Sequence, residues 1–184
     1  MEKKKTALVV FADGFEELEA VGTADMLRRL GLEVTTAALN WKRAVGSHGM
    51  EIATDASLGE ACMGDYDVVV LPGGMPGAAN LAADEQVADV LKRASERGAV
   101  IAAICAAPFV LAQQGLLDGK KFTMYPGFED RLHGLKYHSD PARRDGNIVT
   151  GKGPGAVFDF VMEIAEALDM KRECKELFRG MFVK

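Results

Sequence analysis

The chain has 184 residues, 48% of them hydrophobic and 27% charged, with a formal net charge of −5. That length suits one domain with a sizeable core and is short for two, and the negative balance without basic–aromatic clusters argues against nucleic acid as a partner. The apolar run Ala7–Phe11 behind Met1–Lys5 is too short for a signal peptide or a membrane span, so the expected address is cytoplasmic, with no membrane partner.

In chain order, Thr6–Phe11 reads as a first strand, and Glu16–Leu30 as a helix carrying Ala20, Ala24 and Leu27 on one side and ending at Gly31. Val34–Leu39 is a second strand. Val45–Thr54, with Ser47-His48-Gly49 at its centre, predicts a small β-hairpin excursion. Tyr66–Leu71 is the next strand, followed by a helix over Asp84–Arg97 whose acids come early and bases late, as the helix dipole prefers. Ala99–Ile104 is a fourth strand, and a helix begins around Phe109–Ala112. Arg131–Asn147 is polar and reads as a long loop or edge hairpin, and Asp159–Leu168 is a further helix with Phe160, Ile164 and Leu168 four apart. The strands are apolar without strict alternation, as strands covered on both faces are. The alternation of strand and helix predicts an α/β fold, doubly wound around a mostly parallel sheet, as a single domain over 1–184.

Ligands in such sheets bind at the carboxyl ends of the strands. Three features meet on that edge. The first strand leads into Asp13-Gly14-Phe15-Glu16-Glu17-Leu18-Glu19, the third into Pro72-Gly73-Gly74-Met75-Pro76-Gly77, and the fourth into Cys105. A thiol on a strand-to-helix turn faces free backbone N–H groups and the positive end of a helix, so its pKa is expected below the free value of ~8.5. Glycines let backbone N–H groups approach a ligand closely, and with Ala106 they can form an oxyanion hole. Each feature also has a plainer reading: a buried small hydrophobe, a tight turn, and a favourable charge–dipole arrangement at a helix start. Spacing alone does not choose which of Glu16, Glu17 and Glu19 reaches Cys105.

The chain's three cysteines, Cys62, Cys105 and Cys174, form no CxxC pair, which argues against a disulfide framework or structural zinc. His133 and His138 sit in the polar excursion and read as surface residues; no histidine spacing suggests a metal site. GxGxxG and GK[ST] are both absent, so no nucleotide cofactor is expected.

The segments FADGFEELEAV, YDVVVLPGGMPGAANL, GAVIAAICAAP and TGKGPG, in this order, resemble the ThiJ/PfpI family of the class I glutamine amidotransferase-like superfamily, most closely its DJ-one branch. The resemblance runs from about Thr6 to Leu168. It implies a flavodoxin-like sandwich, a homodimer, Cys105 as the reactive nucleophile and Glu19 as its hydrogen-bond partner. Gly73, Gly74 and Ala106 would line the oxyanion site, with His48, Tyr125, Lys152 and Gly153 near the pocket. The family includes glyoxalases and deglycases acting on methylglyoxal-type carbonyls, oxidation-sensing stress proteins and chaperones, none needing a cofactor here. Two departures bear on the chemistry. Ala106 stands where proteases of the superfamily often place a histidine, which argues against proteolysis. Tyr125 stands where glyoxalase-active members commonly have a histidine, and a phenol with a pKa near ~10 is a poor base. The expectation is a cysteine-dependent stress protein acting on small reactive carbonyls; the alternative is a non-catalytic redox sensor or chaperone switched by Cys105 oxidation, with an oxidant in place of substrate.

Overall fold

A strand covered on both faces must be apolar in both directions, and the first strand shows why Thr6–Phe11 reads that way. In the computed structural model, which describes residues 4–183, Ala7, Val9 and Phe11 of β1 (Thr6–Phe11) enter one core, while Leu8 and Val10 enter another on the opposite face. The sheet has seven strands, β1, β2 (Glu33–Ala38), β5 (Ala56–Ser57), β6 (Val68–Leu71), β7 (Val100–Ile104), β8 (Ala142–Asp145) and β9 (Ile148–Gly151), in the order β5-β2-β1-β6-β7-β9-β8. Every pairing is parallel except β8 with β9. The hairpin β3 (Arg43–Val45) and β4 (Glu51–Ala53) forms a separate two-stranded sheet. The expected doubly wound, mostly parallel sheet with a hairpin excursion is therefore the observed architecture.

Helices α1 (Glu17–Arg29), α6 (Val157–Ala167) and α7 (Lys171–Gly180) cover one face. Helices α2 (Leu58–Ala61), α3 (Gly77–Ala83), α4 (Glu85–Glu96) and α5 (Pro108–Gln113) cover the other. Fully burying each Val, Leu, Ile or Phe contributes on the order of 1.5–3 kcal/mol, and Leu8, Leu27, Ile101, Phe109 and Phe160 are all inaccessible or nearly so.

The sequence reading falls short in the second half of the chain. The edge-hairpin reading of Arg131–Asn147 holds in its last part, where Ala142–Asp145 is the antiparallel edge strand, but its partner Ile148–Gly151, a parallel strand inside the sheet, lies beyond those bounds and was not expected. α7 was also unanticipated: its apolar side chains reduce largely to Cys174, Leu177 and Phe178 among charges, and only Cys174 and Phe178 are buried.

The topology places four strand ends side by side. Glu16 N–H donates to the Gly73 carbonyl at 2.9 Å, joining the loops after β1 and β6. Cys105 N–H donates to Gly151 at 2.9 Å, and Tyr125 N–H to Cys105 at 2.9 Å, which ties the ends of β7 and β9 to the segment around Tyr125.

Candidate active site

Cys105 is the residue after β7 and has φ 63°, in the left-handed region that non-glycine residues seldom occupy. Holding a side chain there costs on the order of 1–3 kcal/mol. The conformation turns the chain out of the strand within one residue, three residues before the next helix begins, and leaves Cys105 9% exposed. The backbone N–H groups of Gly74 and Ala106 lie near the sulfur and favour its anionic form.

Glu19 lies in the first turn of α1 and is fully buried. Its Oε2 accepts the Gly73 N–H at 2.8 Å, and its carboxyl interacts with the Cys105 thiol. Oε1 meets no donor and is shielded from solvent. A buried carboxyl oxygen without a donor is where a proton belongs. Burial accordingly pushes Glu19 up to about 8, aided by the neighbouring Glu16 charge and opposed by the Gly73 hydrogen bond.

The direction of the shift is opposite to the one expected from the turn. Burial and the Glu19 charge push Cys105 up to about 12, against the downward pull of the Gly74 and Ala106 N–H groups. The helix that was to stabilise the thiolate is α5, only six residues long and starting three residues beyond Cys105. The two groups titrate as a pair. Below about 8 Glu19 is neutral; above it, the pair shares one remaining proton and either partner can hold it.

The three acids of the first turn have three separate fates. Glu16 caps α1, accepting the Glu19 N–H at 2.8 Å. Glu17 faces the hairpin, where Oε1 accepts His48 N–H at 2.7 Å and Oε2 lies 2.8 Å from His48 Nδ1. Glu19 points inward to Cys105. Helical rotation of about 100° per residue separates them, a distinction that composition alone does not make.

His48 was expected to reach the pocket; its ring is paired with Glu17 instead. Glu16, Glu17 and His48 bring ligand-type atoms within 4.8 Å of one another, but these hydrogen bonds already engage them. The hydrogen bond to Glu17 raises the His48 pKa above 6.5. Burial lifts Glu17, but hydrogen bonds from the His48 ring and backbone outweigh it and hold the carboxyl below 4.5. The His48 contribution is complete below 6.5 and is lost as pH rises through its raised value; that of Glu17 is complete above 4.5 and lost as pH falls through its lowered value. The hairpin tip is thus expected to be pinned best between pH 4.5 and 6.5. Amide exchange over Gly46–Met50 should be slower at pH 5.5 than above pH 8, after correction for intrinsic rates. Equal protection factors would remove the pair from the hairpin's stability.

Of the remaining candidates, Tyr125 is half exposed and stands against Gly153, whose added Cβ would lie 3.2 Å from the Tyr125 ring. Lys152 turns away, its Nζ 3.4 Å from the Ser139 carbonyl. Gly73 is close to the thiol, yet its N–H is committed to Glu19, which leaves Gly74 and Ala106 as the donors near the sulfur. Cys62 is half-buried with its thiol on the Gly59 carbonyl, and Cys174 is fully buried with its pKa pushed up to about 11 by that burial.

What sequence reasoning missed here is Glu17 as the residue that anchors the hairpin and the Gly151 carbonyl that fixes the elbow. The EE-x-E spacing was the available signal for the first, and the second is a backbone contact with no side-chain signature.

The arrangement can hold a thiol next to a proton-carrying acid, with two N–H donors at the place where negative charge would develop. Comparison with known proteins gives the family. Residues 5–167 match the DJ-1/PfpI family. The Drosophila melanogaster protein dj-1beta is 42% identical over 182 residues, covering 97% of each chain. The Caenorhabditis elegans glutathione-independent glyoxalase DJR-1.2 is 31% identical over 184 residues, covering 98% of each. The solved structure of oxidized Toxoplasma gondii DJ-1 superposes with a TM-score of 0.91 at 32% identity, over 97% of this chain and 98% of that one. With the sheet order, the cysteine elbow and the buried glutamate in place, this chain belongs to the DJ-1/PfpI family.

Proposed function

We propose that this protein is a cofactor-independent, cysteine-dependent catalyst acting on small reactive dicarbonyls, of glyoxalase or deglycase type. The observation that carries it is the Cys105–Glu19 pair beneath the Gly74 and Ala106 N–H groups. A relative at 31% identity is named a glutathione-independent glyoxalase, which supports the same chemistry.

The thiolate is made in the reaction rather than stored. Glu19, as carboxylate, takes the thiol proton as sulfur bonds to the aldehyde carbon of methylglyoxal. The carbonyl oxygen becomes an alkoxide held by Gly74 and Ala106 N–H groups, then takes the proton back from Glu19, completing a hemithioacetal. Glu19 next removes the hydrogen on that carbon; in the resulting enediolate the hydroxyl proton passes to the neighbouring oxygen, and Glu19 returns its proton to the adjacent carbon, giving a thioester of lactate. Water cleaves the thioester, releasing lactate and restoring the thiol. One carbon is oxidised and its neighbour reduced, so no external electron carrier is needed.

The test is lactate formation from methylglyoxal by reduced protein beside a Cys105→Ser control. Lactate from the parent protein alone supports the reading. No lactate above the control overturns it.

The neutral Glu19 favours a second reading, in which two equivalents of peroxide oxidise Cys105 to a sulfinate with release of two waters, and protonated Glu19 donates a hydrogen bond to the new anion. A Cys105-dependent gain of two oxygens by intact mass supports this sensor role, and no such species excludes it. We propose in addition that the protein is a cytosolic homodimer. Leu18 on α1, Met50 beside the hairpin and Phe158 on α6 are exposed apolar side chains suited to that contact.

A further inference from the structure

A cavity of about 410 Å³ opens at the carboxyl ends of β1 and β2, apart from the Cys105–Glu19 pair. Open α/β sheets bind ligands at such strand ends, and the volume lies within the range of small-molecule sites. Its floor is apolar and rigid, formed by Phe11, Ala38 and Ala44, each no more than 2% exposed. Trp41, the chain's single tryptophan, lines the mouth with 73% of its surface exposed.

The polar groups lining the cavity are Asp13, Asn40, Arg43, Asn80 and Asp84. Asp13 uses Oδ1 to accept the Val45 N–H at 2.9 Å, and its backbone carbonyl accepts Asn80 Nδ2 at 2.8 Å. Asp84 uses Oδ1 for the N–H groups of Gln86 and Val87, at 2.9 and 3.1 Å, so the donors at the start of α4 are already taken. The Oδ2 atoms of both aspartates accept no hydrogen bond among the described residues. Arg43, the one cation lining the cavity, is drawn to Glu51 at 3.1 Å. The unspent capacity is therefore two carboxylate oxygens, the Asn40 amide, the Asn80 side-chain oxygen and an indole face above an apolar floor.

That combination repels phosphates and carboxylates and suits a flat cation with an apolar stem. We propose that this cavity is a binding site for a small guanidino compound, its planar cation stacked on Trp41 and donating to Asp13 and Asp84. A guanidinium matches both parts: its face stacks on indole, and its N–H groups fit carboxylate oxygens. The site does not depend on the chemistry of Cys105.

Because Trp41 is the single tryptophan, intrinsic fluorescence reports on this cavity directly. The probe is n-butylguanidinium, with n-butylurea as its uncharged isostere, and backbone amide shifts locate the binding. Saturable change with n-butylguanidinium, shifts centred on Asp13, Val45, Asn80 and Asp84, and binding at least about fivefold weaker for the urea support the proposal. Asp13→Asn and Asp84→Asn keep the Oδ1 acceptors, so the fold is preserved; each should weaken binding about fivefold, and Trp41→Leu, read by the amide shifts, several-fold. Equal binding of the urea, shifts centred on Cys105, or no saturation by about 10 mM would overturn it. These outcomes are indifferent to whether methylglyoxal is a substrate.

Discussion

Glu19→Gln is expected to lower the Cys105-dependent rate by about two to four orders of magnitude, the usual contribution of a positioned general base. Glutamine keeps an oxygen for the Gly73 N–H, so the loop geometry is retained while the proton acceptor is lost. In the parent protein the rate should climb with pH through about 8, where Glu19 gives up its proton and becomes the base. In the variant the Glu19 charge no longer holds the thiol up but burial still does, so the thiol must ionise unaided and the rate should follow a separate profile set by the thiol alone. Iodoacetamide labelling of Cys105 against pH, followed by peptide-level mass spectrometry, reads both profiles. Coincident profiles would mean that Glu19 does not serve the thiol, and both functional readings would lose their chemical core.

The same substitution has a stability consequence of definite sign. Glu19 has a folded-state pKa of about 8 against an ordinary 4.5, so between those values the folded chain holds a proton that the unfolded chain has released. Folding stability therefore falls as pH rises through that interval, by up to about 1.4 kcal/mol per pH unit from this group alone. Glutamine carries no charge to expel. Glu19→Gln should thus gain stability relative to the parent as pH increases towards 8, while losing reactivity throughout.

The legible parts of this chain are those where one physical requirement dominates a run of residues. Ala7–Phe11 had to be apolar at every position because both sheet faces are covered, and the run showed it. Ile148–Gly151 meets the same requirement with four buried residues, but so short a run ending in glycine looks like a turn. α7 escapes for the opposite reason, since its charges outnumber the two side chains that anchor it. At the site, a cysteine on a strand-to-helix break points to an elbow from the sequence alone. Its protonation behaviour did not follow, because the outcome depends on how deeply Cys105 is buried and on which of three neighbouring acids faces it. Helix direction suggests a stabilised thiolate; burial beside Glu19 reverses the sign.

Gly73→Ala tests the link between the close packing of this edge and its chemistry. An added Cβ would lie 2.6 Å from the Cys105 Cβ, 2.7 Å from Glu19 Oε2 and 2.8 Å from the Ile104 carbonyl oxygen. Two of those atoms belong to β7 and the elbow behind it, which are anchored through Ile104 and Cys105 to β9, so relief must come from moving the loop after β6 or the thiol itself. Overpacking of this kind costs on the order of 3 kcal/mol, a fall in Tm of roughly 6–12 °C for a chain of this size. Displacing the sulfur by even a fraction of an ångström from Gly74, Ala106 and Glu19 should also lower the Cys105-dependent rate by about a hundredfold. Gly155→Ala, whose added Cβ meets nothing within 4 Å, is the matched control and should change neither quantity appreciably. If Gly73→Ala melted and reacted like the parent, the contact that joins the glycine loop to the thiol would not exist. If it lost activity at unchanged Tm, the loop would have yielded without strain, and the reaction would still require the bare backbone that only glycine supplies beside Cys105.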